Sequence, residues 1–309
     1  MNTATIKIIV ILGPTASGKS EVALKLAKKF NGEIISADSR QVYKGMDIGT
    51  GKITGTWSIE HEAFASEGIV HHLIDVASPM EDFNISHFKT SANSAIEKIS
   101  AKGKVPIICG GTAFWIDAIT KNINIPEVPP NAELRKELEQ KSLEELFLAL
   151  TEIDPERAQS IDSKNKVRLV RALEICKAIG KVPIHGISKI EQEARYKFLQ
   201  IGIATEREEL NEKIKTRLDE RFQNGMIAEV QNLHSKSVSW EWMERIGLEY
   251  RWISRFLQKK VSESEMKEKL YFDIIHYAKR QMTWLKRNKE IIWLKDYLEI
   301  ENEVAEFLK

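Results

Sequence analysis

Residues 13–20, Gly-Pro-Thr-Ala-Ser-Gly-Lys-Ser, fit the pattern GxxxxGK[ST] in full, and their flanks are those a phosphate-binding loop requires. The preceding run Ile6-Lys7-Ile8-Ile9-Val10-Ile11-Leu12 is β-branched and apolar and reads as a buried strand. The following Glu21-Val22-Ala23-Leu24-Lys25-Leu26-Ala27 has helical spacing. Strand, loop and helix are all present. Gly13 and Gly18 let backbone N–H groups turn around an anion, with Pro14, Thr15, Ala16 and Ser17 spanning between them. The helix N-terminus adds partial positive charge, Lys19 reaches terminal phosphates, and Ser20 can ligate Mg²⁺. The expected ligand is a diphosphate or triphosphate.

Further apolar runs at 33–36, 70–74 and 105–109 alternate with helical patterns such as Phe88 to Ala101. This predicts an α/β fold with a parallel sheet flanked by helices, of the P-loop NTPase-like kind. From the proline cluster at 126–130 to Val182-Pro183 everything reads helical: 132–139, 142–150, 155–161 and 167–179. The expected organisation is therefore a core of residues 1–121 and 199–309 with an all-helical insertion at 122–198. Within the returning core, 198–203 and 291–294 read as strands and 206–234 and 262–287 as long helices. At 309 residues, 42% hydrophobic and 29% charged, the chain can bury a substantial core. Cys109 and Cys176 lack metal spacing and read as reduced core residues. The start of the chain carries no signal pattern and no run approaches a membrane span, so the expectation is a cytoplasmic protein without membrane contact, acting as a monomer.

Asp38 closes the second strand, on the same rim of a parallel sheet as the phosphate loop, where a carboxylate faces the phosphates or whatever reacts with them. The bland alternative is a turn aspartate. Plain nucleotide hydrolysis usually places a second, Mg²⁺-holding Asp at a strand end, but the other good strand here runs into Gly110-Gly111-Thr112. The net charge is only +1, so a nucleic acid would need a local basic surface. Three stretches offer one: Lys164, Arg168 and Arg171 at helical spacing; Lys213, Arg217 and Arg221 beside an apolar stripe; and residues 276–289, with five Lys or Arg, no acid, and interleaved aromatics. Any of these alone is also what a solvated helix face looks like.

Together these motifs resemble the tRNA dimethylallyltransferases, which prenylate the adenosine just 3′ of the anticodon. The resemblance covers nearly the whole chain. It rests on residues 13–20, Asp-Ser-Arg-Gln-Val-Tyr-Lys-Gly-Met-Asp-Ile-Gly-Thr at 38–50, His-His-Leu-Ile-Asp-Val at 71–76, and Gly-Gly-Thr at 110–112. Arg-Ala-Leu-Glu at 171–174, Ile-Gly at 246–247 and Lys-Arg-Gln-Met-Thr-Trp at 279–284 complete it. The resemblance implies dimethylallyl diphosphate on the phosphate loop with Mg²⁺ at Ser20, and attack by the amine of a flipped-out adenine. It implies Asp38 as proton acceptor, Thr15 at the diphosphate near the breaking bond, and Arg217 neutralising the leaving group. It further implies that Asp38, Ser39, Arg40, Gln41, Thr112 and residues 245–250, Arg245 and Gly247 among them, line the adenosine site. Val167, Arg168, Leu169, Val170 and Arg171 would lie against the anticodon stem-loop of tRNA, with Lys279, Arg280 and Gln281 as further contacts.

Three places depart from the family pattern. Gly-Gly-Thr is followed by Ala113-Phe114-Trp115 in place of x-Leu-Tyr, which would alter a channel wall; Ile-Gly is followed by Leu248-Glu249-Tyr250 in place of Tyr-Lys-Glu, losing a basic residue at Glu249; and Lys164-Asn165-Lys166-Val167-Arg168 replaces Asn-Asp-Pro-Gln-Arg. Competing readings are a small-molecule kinase using ATP with Asp38 as base, a prenyltransferase acting on free adenine nucleotides, and an RNA-binding protein with a relic phosphate loop.

Overall fold

The β-branched run after residue 5 is buried from Ile8 onward, as a strand covered on both faces must be. In the computed structural model of the protein, which describes residues 5–59, 62–183 and 195–309, this strand is β1 (Ile6–Leu12). It is followed by β2 (Gly32–Ala37), β3 (Thr56–Ser58), β4 (Ala63–Ser66), β5 (Ile69–His72), β6 (Val105–Gly110), β7 (Tyr196–Ile203) and β8 (Ile292–Leu294). These strands form one sheet in the order β3-β4-β5-β2-β6-β1-β7-β8. From β5 to β8 every neighbour is parallel, whereas β3, β4 and β5 pair antiparallel. The sheet is therefore mixed rather than wholly parallel. β3 and β4 are only three and four residues long, too short for a period-2 pattern to announce them.

Helices α1 (Lys19–Lys29), α2 (Ile85–Ala101) and α3 (Ala113–Thr120) belong to the first half of the core. Alternate residues of β1 serve opposite faces: Ile9 and Ile11 pack in one cluster with Leu24 and Leu26 of α1, while Ile8, Val10 and Leu12 join Phe88 and Ile96 of α2 in the other. The chain leaves β1 toward β2 on one side and reaches β7 on the other, so the carboxyl end of β1 is a topological switch point. Ligands of open α/β sheets bind at such a crevice.

The described residues divide into two compact units, Met1–Thr120 with Ile190–Lys309, and Lys121–Lys189. The second contains α4 (Ala132–Glu139), α5 (Leu143–Ile153), α6 (Pro155–Ser160) and α7 (Lys166–Ile179) around its own core of Leu138, Leu146, Leu150, Leu169 and Leu173. Its starts are written locally: Asn131, Ser142, Asp154 and Asn165 each accept a backbone N–H in the first turn. The expected insertion end at 198 is too late, because Tyr196, Lys197 and Phe198 already pair with Ile6, Lys7 and Ile8 of β1.

The remaining helices are α8 (Arg207–Gln223), α9 (Met226–Ser235), α10 (Trp240–Ile246), α11 (Leu248–Leu257), α12 (Glu263–Leu285) and α13 (Tyr297–Leu308). The single long helix expected at 206–234 is two, broken at Gly225, which takes φ +92° in the left-handed region. Among the described residues no helix is long and apolar enough to cross a membrane.

Candidate active site

The phosphate loop leaves β1 at Gly13 and enters α1 through Gly18, whose φ of +87° is strained for any side chain. Ala16 is also left-handed, at φ +65°, so successive amides curl as an anion nest does. Two contacts brace the loop from distant sequence. Gln281 of α12 accepts from the Thr15 N–H through Oε1 at 2.9 Å and donates from Nε2 to the Gly111 carbonyl at 2.8 Å. Arg217 of α8 donates to Thr15 Oγ1. A Cβ at Gly111 would meet Gln281 Nε2 at 2.4 Å, which explains the glycine there. Lys19 Nζ lies 3.3 Å from the Pro14 carbonyl, folded back over the loop.

Asp38 follows β2 on the same rim. Its Oδ1 accepts the backbone N–H groups of Arg40 at 3.0 Å and Gln41 at 3.3 Å, so the turn role and the site role coincide. Ser39 N–H donates to Thr112 Oγ1 at 3.1 Å, tying this turn to the end of β6. Gln41 donates to the Thr50 and Gly51 carbonyls and accepts from Ser36 Oγ. Thr15, Lys19, Ser20, Asp38, Arg40, Gln41, Arg217, Arg221, Tyr277 and Gln281 face one cleft. Four of these are cations. Against them stand Asp38 and the buried Glu249, which holds Arg40 Nη1 at 2.6 Å and Arg221 Nη1 at 3.0 Å. The excess of positive charge in a buried cleft calls for an anion.

The electrostatics of the cleft agree. Burial pulls the Lys19 ammonium below its ordinary range, with Cys109 and Asp38 opposing. Burial, and then the neighbouring Arg221, bring Arg217 down to about 9, which still leaves it charged at neutral pH. Burial alone would raise the Glu249 carboxyl; Arg40 and Arg221 outweigh it and hold that carboxyl low. Burial and then Asp38 push the Tyr277 hydroxyl up to about 12. A polyanion would relieve the crowding of Lys19, Arg217 and Arg221.

A second concavity adjoins Arg40 and is lined by Ser39, Arg245, Gly247, Arg251, Tyr277 and Arg280. Residues expected to meet the acceptor, Arg40 and Ser39 from the β2 turn and Arg245 and Gly247 from the α10–α11 junction, thus share one depression. Lys279 and Arg280 are exposed on α12.

Several expectations change. Gln281 is buried and braces the loop instead of facing solvent as an RNA contact. Leu169 and Val170 are buried in the helical unit's core, so their side chains cannot touch RNA. Lys164 precedes α7 in a turn and does not share its face. Arg171 is engaged by Glu174 and donates to the Val128 carbonyl at 2.8 Å. Of the 167–171 segment only Val167 and Arg168 are exposed. The row Lys213, Arg217, Arg221 divides too: Lys213 is exposed and paired with Glu209, while the other two face the cleft. Trp115 is no channel wall, being buried against Phe88 with ring centroids 4.4 Å apart.

Arg221, Glu249 and Tyr277 fall within stretches the sequence singles out, but their convergence on the phosphate cleft is not readable there. A signal exists for Arg221, which lies one helical turn after Arg217. None exists for the two arginine contacts of Glu249, whose partners are 209 and 28 residues away.

Comparison with known proteins agrees with this geometry. The IPP transferase family model matches residues 41–288, and an isopentenyl transferase model matches residues 6–58. The tRNA dimethylallyltransferase 1 of Syntrophus aciditrophicus is 40% identical over 303 residues, covering 96% of this chain and 97% of that protein. Among solved structures, the full-length tRNA isopentenylpyrophosphate transferase of Bacillus halodurans superposes with a TM-score of 0.70 at 33% identity, covering 98% of this chain and 96% of that one. A eukaryotic dimethylallyltransferase acting on tRNA gives a TM-score of 0.76 at 25% identity, with 98% of this chain and 77% of that one covered. A phosphate loop at the switch point, an aspartate opposite it and matches along nearly the whole length lead to one conclusion: the chain belongs to the IPP transferase family, that of the tRNA dimethylallyltransferases.

Proposed function

We propose that this protein transfers the dimethylallyl group of dimethylallyl diphosphate to the exocyclic N6 amine of the adenosine 3′-adjacent to the anticodon in tRNA, releasing diphosphate. The observation that carries this reading is the placement of Asp38 opposite Thr15, Lys19 and Arg217 in one cationic cleft. The amine nitrogen forms a bond to the allylic carbon while the bond from that carbon to the diphosphate oxygen breaks. The electron pair leaves with the diphosphate, and the amine proton goes to Asp38.

The loop amides at Gly18 and Lys19, entering α1, cradle the donor, and Lys19 and Arg217 offset the charge that grows on the leaving oxygen. Thr15, held by both Arg217 and Gln281, sits earlier in the same loop. Mg²⁺ fits the residues present: the Ser20 hydroxyl opens α1 beside the cleft, and no cluster of three or more His, Cys, Asp or Glu exists among the described residues. Mg²⁺ would be held on the protein side by the Ser20 hydroxyl and would supply charge neutralisation to the diphosphate. On the acceptor side, an adenine taken out of its stack meets the Ser39, Arg40, Arg245 and Gly247 depression, while Arg280 and Lys279 offer phosphate contacts. Arg168 and Val167 are the residues the helical unit offers to the anticodon stem-loop.

Nucleoside mass spectrometry of unmodified tRNA incubated with the protein, Mg²⁺ and dimethylallyl diphosphate tests the reading. Donor-dependent prenylated adenosine is expected, and Asp38→Ala should lower turnover by at least ~10²-fold with tRNA affinity kept. Transfer to AMP without tRNA, or phosphorylation from ATP in place of prenyl transfer, would overturn it.

A further inference from the structure

The Glu249 side chain is only 2% exposed, between two arginines that reach the cleft from different directions. Oε2 holds Arg40, which borders the acceptor depression; Oε1 holds Arg221, which borders the phosphate cleft and the concavity beside Trp57. Resting on the transferase reading above, we infer that Glu249 is a positioning residue that sets the charge of the cleft, keeping Arg40 off Asp38 and preventing the diphosphate product from being held too tightly.

Arg40 stands two residues after Asp38, and its charge interacts with both Asp38 and Glu249. Its guanidinium is kept at Glu249 by a 2.6 Å charge-assisted hydrogen bond. Without that partner, a buried guanidinium turns to another carboxylate whose charge it already feels, Asp38, the proposed proton acceptor. Arg221 is fixed by Glu249 and by the Gly49 carbonyl at 3.2 Å, immediately beside Arg217 in the cleft. Deleting the Glu249 charge raises the local potential felt by any diphosphate.

The test is Glu249→Gln, which keeps the shape and removes the charge. Inorganic pyrophosphate titrated calorimetrically in Mg²⁺ buffer should bind several-fold to about 10-fold tighter than to the natural protein. In the same variant kcat for prenyl transfer should fall at least about 10-fold while tRNA affinity holds. A residue needed only for folding would weaken pyrophosphate binding along with kcat, and unchanged or weaker pyrophosphate binding overturns the inference. If that variant does not fold, Glu249→Asp decides: the charge stays but the shorter side chain spans only one guanidinium. Retained pyrophosphate affinity with lowered kcat upholds the inference, and unchanged kcat overturns it. Absence of prenyl transfer by the natural protein would defeat the transferase reading alone, since the pyrophosphate arm judges the charge role separately.

Discussion

Gln281 joins two loops that are far apart in sequence, Thr15 of the phosphate loop and Gly111 after β6, through its one amide group. Replacing it with leucine leaves the half-buried Thr15 N–H and the buried Gly111 carbonyl without their partner, a cost of about 1–3 kcal/mol for the buried carbonyl and less for the N–H before relaxation. Gln281→Leu should therefore lower the thermal midpoint and raise the KM for the prenyl donor, with tRNA affinity little changed. Loss of tRNA affinity at unchanged donor KM would return Gln281 to the RNA surface. Arg217 has a different place, because its guanidinium reaches Thr15 and lines the cleft where the proposed leaving group would lie. Removing one such donor typically costs ~10²-fold in kcat. Arg217→Ala should show that loss in single-turnover transfer at saturating donor, and full activity there would make Arg217 a loop brace only. The phosphate loop and Asp38 are legible in the sequence because their chemistry is local: one contiguous motif, one strand end. Gln281, Arg221 and Glu249 are not, because each owes its place to partners dozens to hundreds of residues away.

Among the elements, α7 shows how one helix divides its labour. Asn165 caps it, Gly180 ends it at φ +88°, and Leu169, Leu173 and Cys176 turn inward. Glu174 is also inward, held by Arg135 at 2.9 Å, by the Asn131 N–H at 2.7 Å and by Arg171. The apolar spacing of this helix is readable, and so are its caps. The fate of Arg171 is not, since a basic residue three positions before a buried acid looks the same in sequence as one facing RNA. Two substitutions separate the faces. Leu169→Ala opens a cavity in a small core and should cost about 2–5 kcal/mol. Arg168→Glu lies on the exposed first turn and should change stability by no more than ~0.5 kcal/mol, while weakening tRNA binding and flattening its dependence on salt. A salt slope identical to that of the natural protein would make Arg168 an ordinary solvated residue. Elements with weak periodicity escape a reading of this kind altogether: the β3 and β4 strands, the short α3 and α10, and the closing α13, whose Ile300 and Val304 complete the cluster beneath β1 and α1.

At the scale of the whole molecule, the neighbouring interior strands β2 and β5 make stability depend on pH. His71 is 4% exposed, edge-on to Phe64 at 6.3 Å, and burial, then the charge of His72, lower it from 6.5 to about 4. Burial also lowers His72, against the opposing pull of Glu33 2.7 Å away. For both histidines the unfolded chain takes up the proton first. Their neutral forms thus support the fold above about pH 6.5, and that support drains as pH falls, at up to about 1.4 kcal/mol per pH unit for His71 and about 3 kcal/mol in all by pH 4. Glu33 adds a second, more acidic limb. Burial would raise its carboxyl, but His72, Lys104 and Lys102 win and hold it at about 2. Its contribution is complete above its ordinary value of 4.5 and is lost as pH falls toward 2. Thermal unfolding followed from pH 7.5 to 3 should therefore decline in two stages. His71→Leu should shallow the upper stage without abolishing it, because His72 remains, and should leave the lower one in place. Glu33→Gln should lower the midpoint at neutral pH and flatten the curve below pH 4.5. Curves for His71→Leu that run parallel to the natural protein between pH 6.5 and 4 would show that acid uptake there belongs to other groups.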